Sequence, residues 1–159
     1  MSNELEYVPS NKRGLMLFYQ DHLYQKLKRP NQDGTQSWRC RDYRLKNKHC
    51  KALFYTKDNK IVALPGQHFH EKVKKTEVTF ACAKKKIKDL VKTETGPIKK
   101  IFESTINKTI ADNQLEISES ALFAPKNKNI EKSLYDLRHE NLVPFLPKST
   151  KDIIFSGAF

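Results

Sequence analysis

The sequence predicts an α+β fold: a small antiparallel sheet of four or five strands, then a small helical region with an extended C-terminal tail. Three observations predict it. Residues 1–72 hold most of the aromatics, in short alternating runs separated by turn-forming residues. From about residue 73 the apolar period lengthens to that of a helix. Gly96-Pro97 then divides two helical runs, as a stop followed by a start. The change of texture puts the boundary at residues 71–76, giving a sheet domain over 1–73 and a helical region over 74–159.

Each element follows from its residues. Residues 14–19 are short and apolar and lead into Gln20-Asp21. Residues 22–29 alternate in part and end at the turn signal of residues 30–34, which closes on Gly34. Residues 36–41 alternate around Trp38. Residues 52–56 and 60–64 flank Lys57-Asp58-Asn59, a hairpin turn. In the second half, Val78, Cys82, Ile87, Leu90 and Val91 are expected on one helical face, which makes Cys82 a small core residue. Ile98, Ile101, Phe102, Thr105, Ile106 and Ile110 repeat at i, i+3, i+4, i+7, i+8 and i+12, the cleanest amphipathic pattern in the chain. A third helix is expected within residues 129–141, carrying Ile130, Leu134 and Leu137, before Pro144 and Pro147 extend the tail.

The 159 residues fit one ordinary domain or two small ones. The net charge is +12, with 38 % apolar and 30 % charged residues, which points to a polyanionic partner. Both halves are basic: 14 Lys+Arg stand against 7 Asp+Glu through residue 72, and 16 against 11 after it. No uncharged stretch approaches the ~20 apolar residues of a membrane span, so no membrane role is expected. The first ten residues carry Glu4 and Glu6 and lack the apolar core of a secretory signal, which predicts an intracellular protein. Three cysteines, an odd number in a reducing compartment, suggest metal binding rather than disulfides.

Cys40 and Cys50 are followed by His68 and His70. Two thiolates and two imidazoles make a tetrahedral set for one Zn2+ ion. On a strand, residues i and i+2 share a side, so His68 and His70 can converge. Four protein ligands leave no position for a substrate water, so such a site would be structural. The alternative is two core cysteines and two surface histidines; the spacing is not that of the two-helix finger. His49, beside Cys50, is either a competing ligand or a solvated loop residue.

The order Leu17, Tyr24, Trp38-Arg39-Cys40, Cys50 and His68-Phe69-His70 resembles the FLYWCH-type zinc finger over roughly residues 7–72, with Gly14 ahead of the leucine strand. Two features depart from the family pattern. Tyr7 or Val8 stands where a leading phenylalanine is expected, and Asp21-His22 replaces an acidic-Gly turn, which predicts a looser first hairpin. The resemblance implies Cys40, Cys50, His68 and His70 as zinc ligands. It also implies a layout similar to the WRKY and GCM zinc fingers, in which a strand of a zinc-stapled sheet docks in the DNA major groove. The strand so indicated is residues 24–29, with Gln25 and Lys26 for base edges and Lys28 and Arg29 for phosphates. Arg39, Arg41, Arg44, Lys46, Lys48 and Lys51 form a second basic group, with Tyr43 among them. The alternative for these basic residues is a solvated face, and for Trp38 and Tyr24 it is core packing. RNA is the variant partner, and the expected location is the nucleus.

The helical half carries no catalytic constellation, so no enzyme activity is expected. His139 has Asp136 and Glu140 nearby but no nucleophile motif. Lys84-Lys85-Lys86-Ile87-Lys88 reads either as a nuclear localisation patch or as a solvated helix face. Residues 74–155, through residues 93–97 and 142–150, loosely resemble the region after the finger in Mutator-like transposases. That resemblance implies a transposase-derived fragment without its nuclease. The alternative function is a protein-interaction or dimerisation module, with the apolar face of residues 98–110 meeting a partner.

Overall fold

A computed structural model describes residues 5–10, 14–27, 29–44 and 49–142. Six antiparallel strands form one sheet in chain order: β1 (Glu6–Pro9), β2 (Leu15–Tyr19), β3 (His22–Lys26), β4 (Gln36–Cys40), β5 (Leu53–Lys57) and β6 (Lys60–Ala63). A 3-10 turn over Arg41–Arg44 follows β4. Four helices come next: α1 (Lys75–Thr93), α2 (Ile98–Asp112), α3 (Ile117–Phe123) and α4 (Asn127–Leu142).

The sheet has one strand more than the sequence predicts. The extra one is β1, which is only four residues long and ends in Pro9. Proline lacks a ladder donor and is tolerated at a sheet edge, where β1 lies. The first hairpin is tight rather than loose. Tyr19 pairs directly with His22, and Gln20 (φ 47°) and Asp21 (φ 61°) both take the left-handed conformation of a two-residue turn. Asp58 (φ 49°) and Asn59 (φ 58°) do the same between β5 and β6. Strand β3 stops at Lys26 and β4 at Cys40, so Arg29 and Arg41 both leave the sheet.

The sheet curls around one of its faces. Leu17, Tyr19, Tyr24, Trp38 and Phe54 fill that inner side. The Tyr7 hydroxyl of β1 donates to Asn59 Oδ1 in the β5–β6 turn at 2.9 Å, joining the two ends of the sheet. Within, the Trp38 indole N–H donates to Thr56 Oγ1 at 2.8 Å, so the buried polar edge of the ring is satisfied.

The outer face is divided. On β1–β3, Val8, Met16 and Leu23 pack with Val73 and Val78 of the following segment and α1. On β3–β5, Gln25, Arg39 and Leu53 form a row, each opposite the next.

Helix α1 is therefore buried on two opposite sides. Phe80, Ala83, Ile87 and Val91 join Ile98, Ile101, Phe102 and Ile106 of α2 and Ile130 and Leu134 of α4. Val78 points the other way, onto the sheet. Val78 and Ile87 are nine residues apart, about two and a half helical turns, so they cannot share a face. Cys82 follows the Val78 side past the sheet cover and is exposed, not a core residue.

The apolar face of α2 is covered by α1 and α4, which removes the surface proposed for a partner. Helix α3 was not expected. It has seven residues, with Ile117 and Leu122 86 % and 75 % exposed, and so gives no amphipathic signal. The extended tail expected around Pro144 and Pro147 lies outside the described residues. No described helix is long and apolar enough to cross a membrane.

Candidate metal centre

Three separate segments build the site. Cys40 ends β4, opposite Tyr24 of β3. Its N–H donates to the Ala52 carbonyl at 3.0 Å, which folds the chain after Cys50 back beside β4. Cys40, Cys50 and Ala52 make a small buried group with no large side chain. His68 and His70 come from the irregular segment after β6, not from a strand. The alternation still holds: both rings turn inward, while Phe69 between them is 85 % exposed.

One ligand atom from each of Cys40, Cys50, His68 and His70 lies within 4.8 Å of all the others. Cys40 Sγ is 3.2 Å from His70 Nε2, and Cys50 Sγ is 3.3 Å from His68 Nδ1. The two inward ring nitrogens are 3.1 Å apart. With Zn–S near 2.3 Å and Zn–N near 2.0–2.1 Å, the edges of a tetrahedron run about 3.3–3.8 Å. The three close separations, 3.1–3.3 Å, are within a few tenths of an ångström of those edges, no pair is more than 4.8 Å apart, and the donor set suits zinc. His49, exposed and left-handed (φ 32°), is not in the group.

The outward contacts leave one nitrogen of each ring facing inward. His68 Nε2 lies 2.7 Å from the Tyr24 hydroxyl, leaving Nδ1 as the inward ligand atom. His70 Nδ1 lies 2.9 Å from the Glu71 carbonyl, leaving Nε2 inward. A second partner of His70 Nδ1 is Asp42 Oδ2 at 3.4 Å. His22 stacks on His68 with ring centroids 3.7 Å apart and nearly parallel planes. No spacing pattern links Tyr24, Asp42 and His22 to the cysteines and histidines, so the sequence does not mark them as partners of the ligands.

Burial governs protonation here. It pushes the Cys40 thiol up to about 12, reinforced by neighbouring Cys50, so without an ion the sulfur keeps its proton. It holds the His68 ring neutral, down to about 4, helped by His22 and His70. Neutral imidazole is the form that ligates. A thiol must instead lose its proton as the ion enters, so binding releases protons. With four protein ligands the site is closed and structural, and what zinc supplies there is cross-linking of the fold.

The basic residues separate by location. Gln25 and Arg39 face each other on the open outer face of β3–β4. The Arg39 guanidinium lies 4.9 Å from the centre of the Tyr43 ring. Lys26 is exposed, and its cross-strand partner is Trp38, so its position belongs to the other face. Arg29, Arg44 and Lys51 are exposed. Arg41 is engaged within the molecule, with Nη1 2.6 Å from Glu77 Oε1 and Nε 3.5 Å from Asp42 Oδ1. Lys28, Lys46 and Lys48 lie outside the described residues.

No curated protein matches the chain. The pattern of the FLYWCH zinc finger domain matches residues 7–70, a span that begins in β1 and ends on the last ligand. Residues 7–70, which hold the strands that curl around Trp38 and the four ligands that converge beneath them, are thus similar to a FLYWCH zinc finger domain.

Proposed function

We propose that this chain is a DNA-binding protein whose zinc is structural and which performs no catalysis. The reading rests on the row Gln25–Arg39 across the outer face of β3 and β4, on the half of that face that α1 leaves open. Glutamine and arginine are the side chains that bond adenine and guanine edges in the major groove. Arg29, Arg44 and Lys51, all exposed, serve as phosphate contacts, and the sequence assigns Lys28, Lys46 and Lys48 the same role; Lys26, read in the sequence as a base contact beside Gln25, lies on the opposite face and is no part of the row. The +12 charge supplies the long-range attraction. A nuclear location follows from this partner, with Lys84–Lys88 as the import patch.

Fluorescence anisotropy with labelled random-sequence duplexes tests the reading. Affinity is expected to fall steeply with salt, by about 10³–10⁵ from 50 to 200 mM if 6–10 phosphates are contacted. Arg39→Ala should flatten the preference at one base position, at a cost of about 1–3 kcal/mol. Binding to single-stranded RNA but not to duplex would move the partner to RNA. No salt-dependent binding to either would sink the proposal.

A second reading, a protein-interaction module on a transposase-derived fragment, is favoured by Ile117 and Leu122, the exposed apolar residues of α3. Light scattering of the full chain tests it: a dimer lost in Ile117→Lys would support it.

A further inference from the structure

We infer that Asp42 is a positioning residue of the metal centre and that, through Arg41 and Glu77, it couples the centre to the first turn of α1. Asp42 is 4 % exposed. A carboxylate so deeply buried needs partners to offset its lost hydration, and its partners lie on two sides. Toward the site, its backbone N–H donates to the Cys40 sulfur, and its Oδ2 lies 3.4 Å from His70 Nδ1. Asp42 thus touches two of the four ligands, one from each half of the ligand set. A donor on a thiolate stabilises the ionised sulfur. A carboxylate behind an imidazole fixes the ring's tautomer and strengthens it as a ligand. The Glu71 carbonyl, at 2.9 Å, is the shorter partner of that ring nitrogen and holds its direction. Asp42 adds the charge.

Away from the site, Asp42 Oδ1 meets Arg41 Nε at 3.5 Å. Arg41 Nη1 reaches Glu77 Oε1 at 2.6 Å. Glu77 is the third residue of α1. One guanidinium therefore stands between a buried acid that touches the ligands and an acid on the helix. Arg41 follows Cys40 directly in the chain, so its position depends on the ligand's own backbone. The Val73 N–H, donating to the Asp21 carbonyl at 2.7 Å, fixes the approach to the same helix end. When the ligands are drawn together, Asp42 and Arg41 are set where Glu77 meets them; when they are released, that meeting is weakened. Coupling of this kind is reciprocal, so a change at Glu77 must also be felt in metal affinity.

The test uses the full chain and competition with a chromophoric chelator for zinc. Asp42→Asn keeps the volume and removes the charge. It should lower zinc affinity about 10–100-fold and alter the visible spectrum of the cobalt-substituted protein. Because Asp42 is buried, Glu77→Gln provides a gentler variant on the helix surface. It should lower affinity about fivefold or more. Glu119→Gln is the control. It removes the Lys74 and Thr76 contacts at the same end of α1 without touching Arg41 or Asp42, and should leave affinity unchanged.

In the reverse direction, amides of Glu77–Phe80 should exchange faster with solvent when wild-type protein loses its metal, and this difference should shrink in Glu77→Gln. Wild-type affinity in Glu77→Gln, or an equal loss in Glu119→Gln, would overturn the coupling. Unchanged affinity and cobalt spectrum in a folded Asp42→Asn would overturn the positioning role.

Discussion

The sheet and the helices of this molecule are stabilised in different ways. The helices close over one continuous cluster of ten buried residues, contributed by α1, α2 and α4. The sheet divides its buried apolar residues among three smaller groups: the curled interior, the seam with α1, and the Cys40–Cys50–Ala52 end. The last of these has nothing larger than a cysteine. A Leu or Phe there would contribute about 1.5–3 kcal/mol by burial; cysteine and alanine contribute much less. The comparison teaches that the end of the sheet lacking bulky side chains is the end where the chain gathers metal ligands. The helices, with a full apolar seam, need none.

Stripping the metal should break the comparison most. Structural zinc in small domains is worth about 10–16 kcal/mol of apparent binding energy, all of it coupled to folding. Trp38 is the only tryptophan and lies in the sheet, so its fluorescence follows the sheet alone. Chelation, or Cys50→Ser, should abolish the native Trp38 emission while most of the helical circular dichroism remains. Simultaneous loss of both signals would show that the two parts stand or fall together.

Acid should act on the same side of the molecule. His68 titrates near 4 in the fold because burial, then His22 and His70, disfavours its charged form, against about 6.5 in an unfolded chain. Between those values the unfolded state binds more protons, so stability contributed by the neutral ring is present above pH 6.5 and is lost as pH falls toward 4. Zinc release, read by a metal indicator, should therefore rise as pH drops through that window, with Trp38 emission changing in parallel.

The helical side is broken by a different change. Leu134 is fully buried in the ten-residue cluster, and Leu134→Ala should cost about 2–5 kcal/mol. Thermal melts should show the helical signal weakening while zinc content stays at one per chain. A smaller effect sharpens the description of the sheet. Thr56→Val leaves the Trp38 indole N–H without its acceptor, and a buried donor left unsatisfied costs about 1–3 kcal/mol. Urea unfolding followed by Trp38 emission should detect it.

Much of this was legible in the sequence, for physical reasons that also explain the omissions. The ligands could be read because zinc accepts few residue types, and because alternation across Phe69 turns both histidines one way even outside a strand. Helix α2 was legible because it buries a single face. Helix α1 was only half legible. Packing on opposite sides, it breaks the one-stripe assumption that put Cys82 in the core. Strand β1 was hidden by its length and by Pro9, and α3 by its exposed apolar residues. The link from Asp42 through Arg41 to Glu77 spans 36 residues between its last two members and follows no local period. Such contacts belong to tertiary structure, and nothing in one sequence announces them.

The two histidines turn different ring nitrogens inward, which makes the ligand pair unequal in reach. His68 offers Nδ1, the nitrogen nearer its backbone, whereas His70 offers Nε2, at the far side of its ring. The main chain at residue 68 therefore stands close to the ion's position, and at residue 70 it stands one ring-width back. A cysteine is a short ligand. It can replace the first histidine with little movement of the backbone, but at the second it would fall short. Of the two three-cysteine versions of this centre, only the one altered at residue 68 is open to evolution or to an engineer without rebuilding the loop.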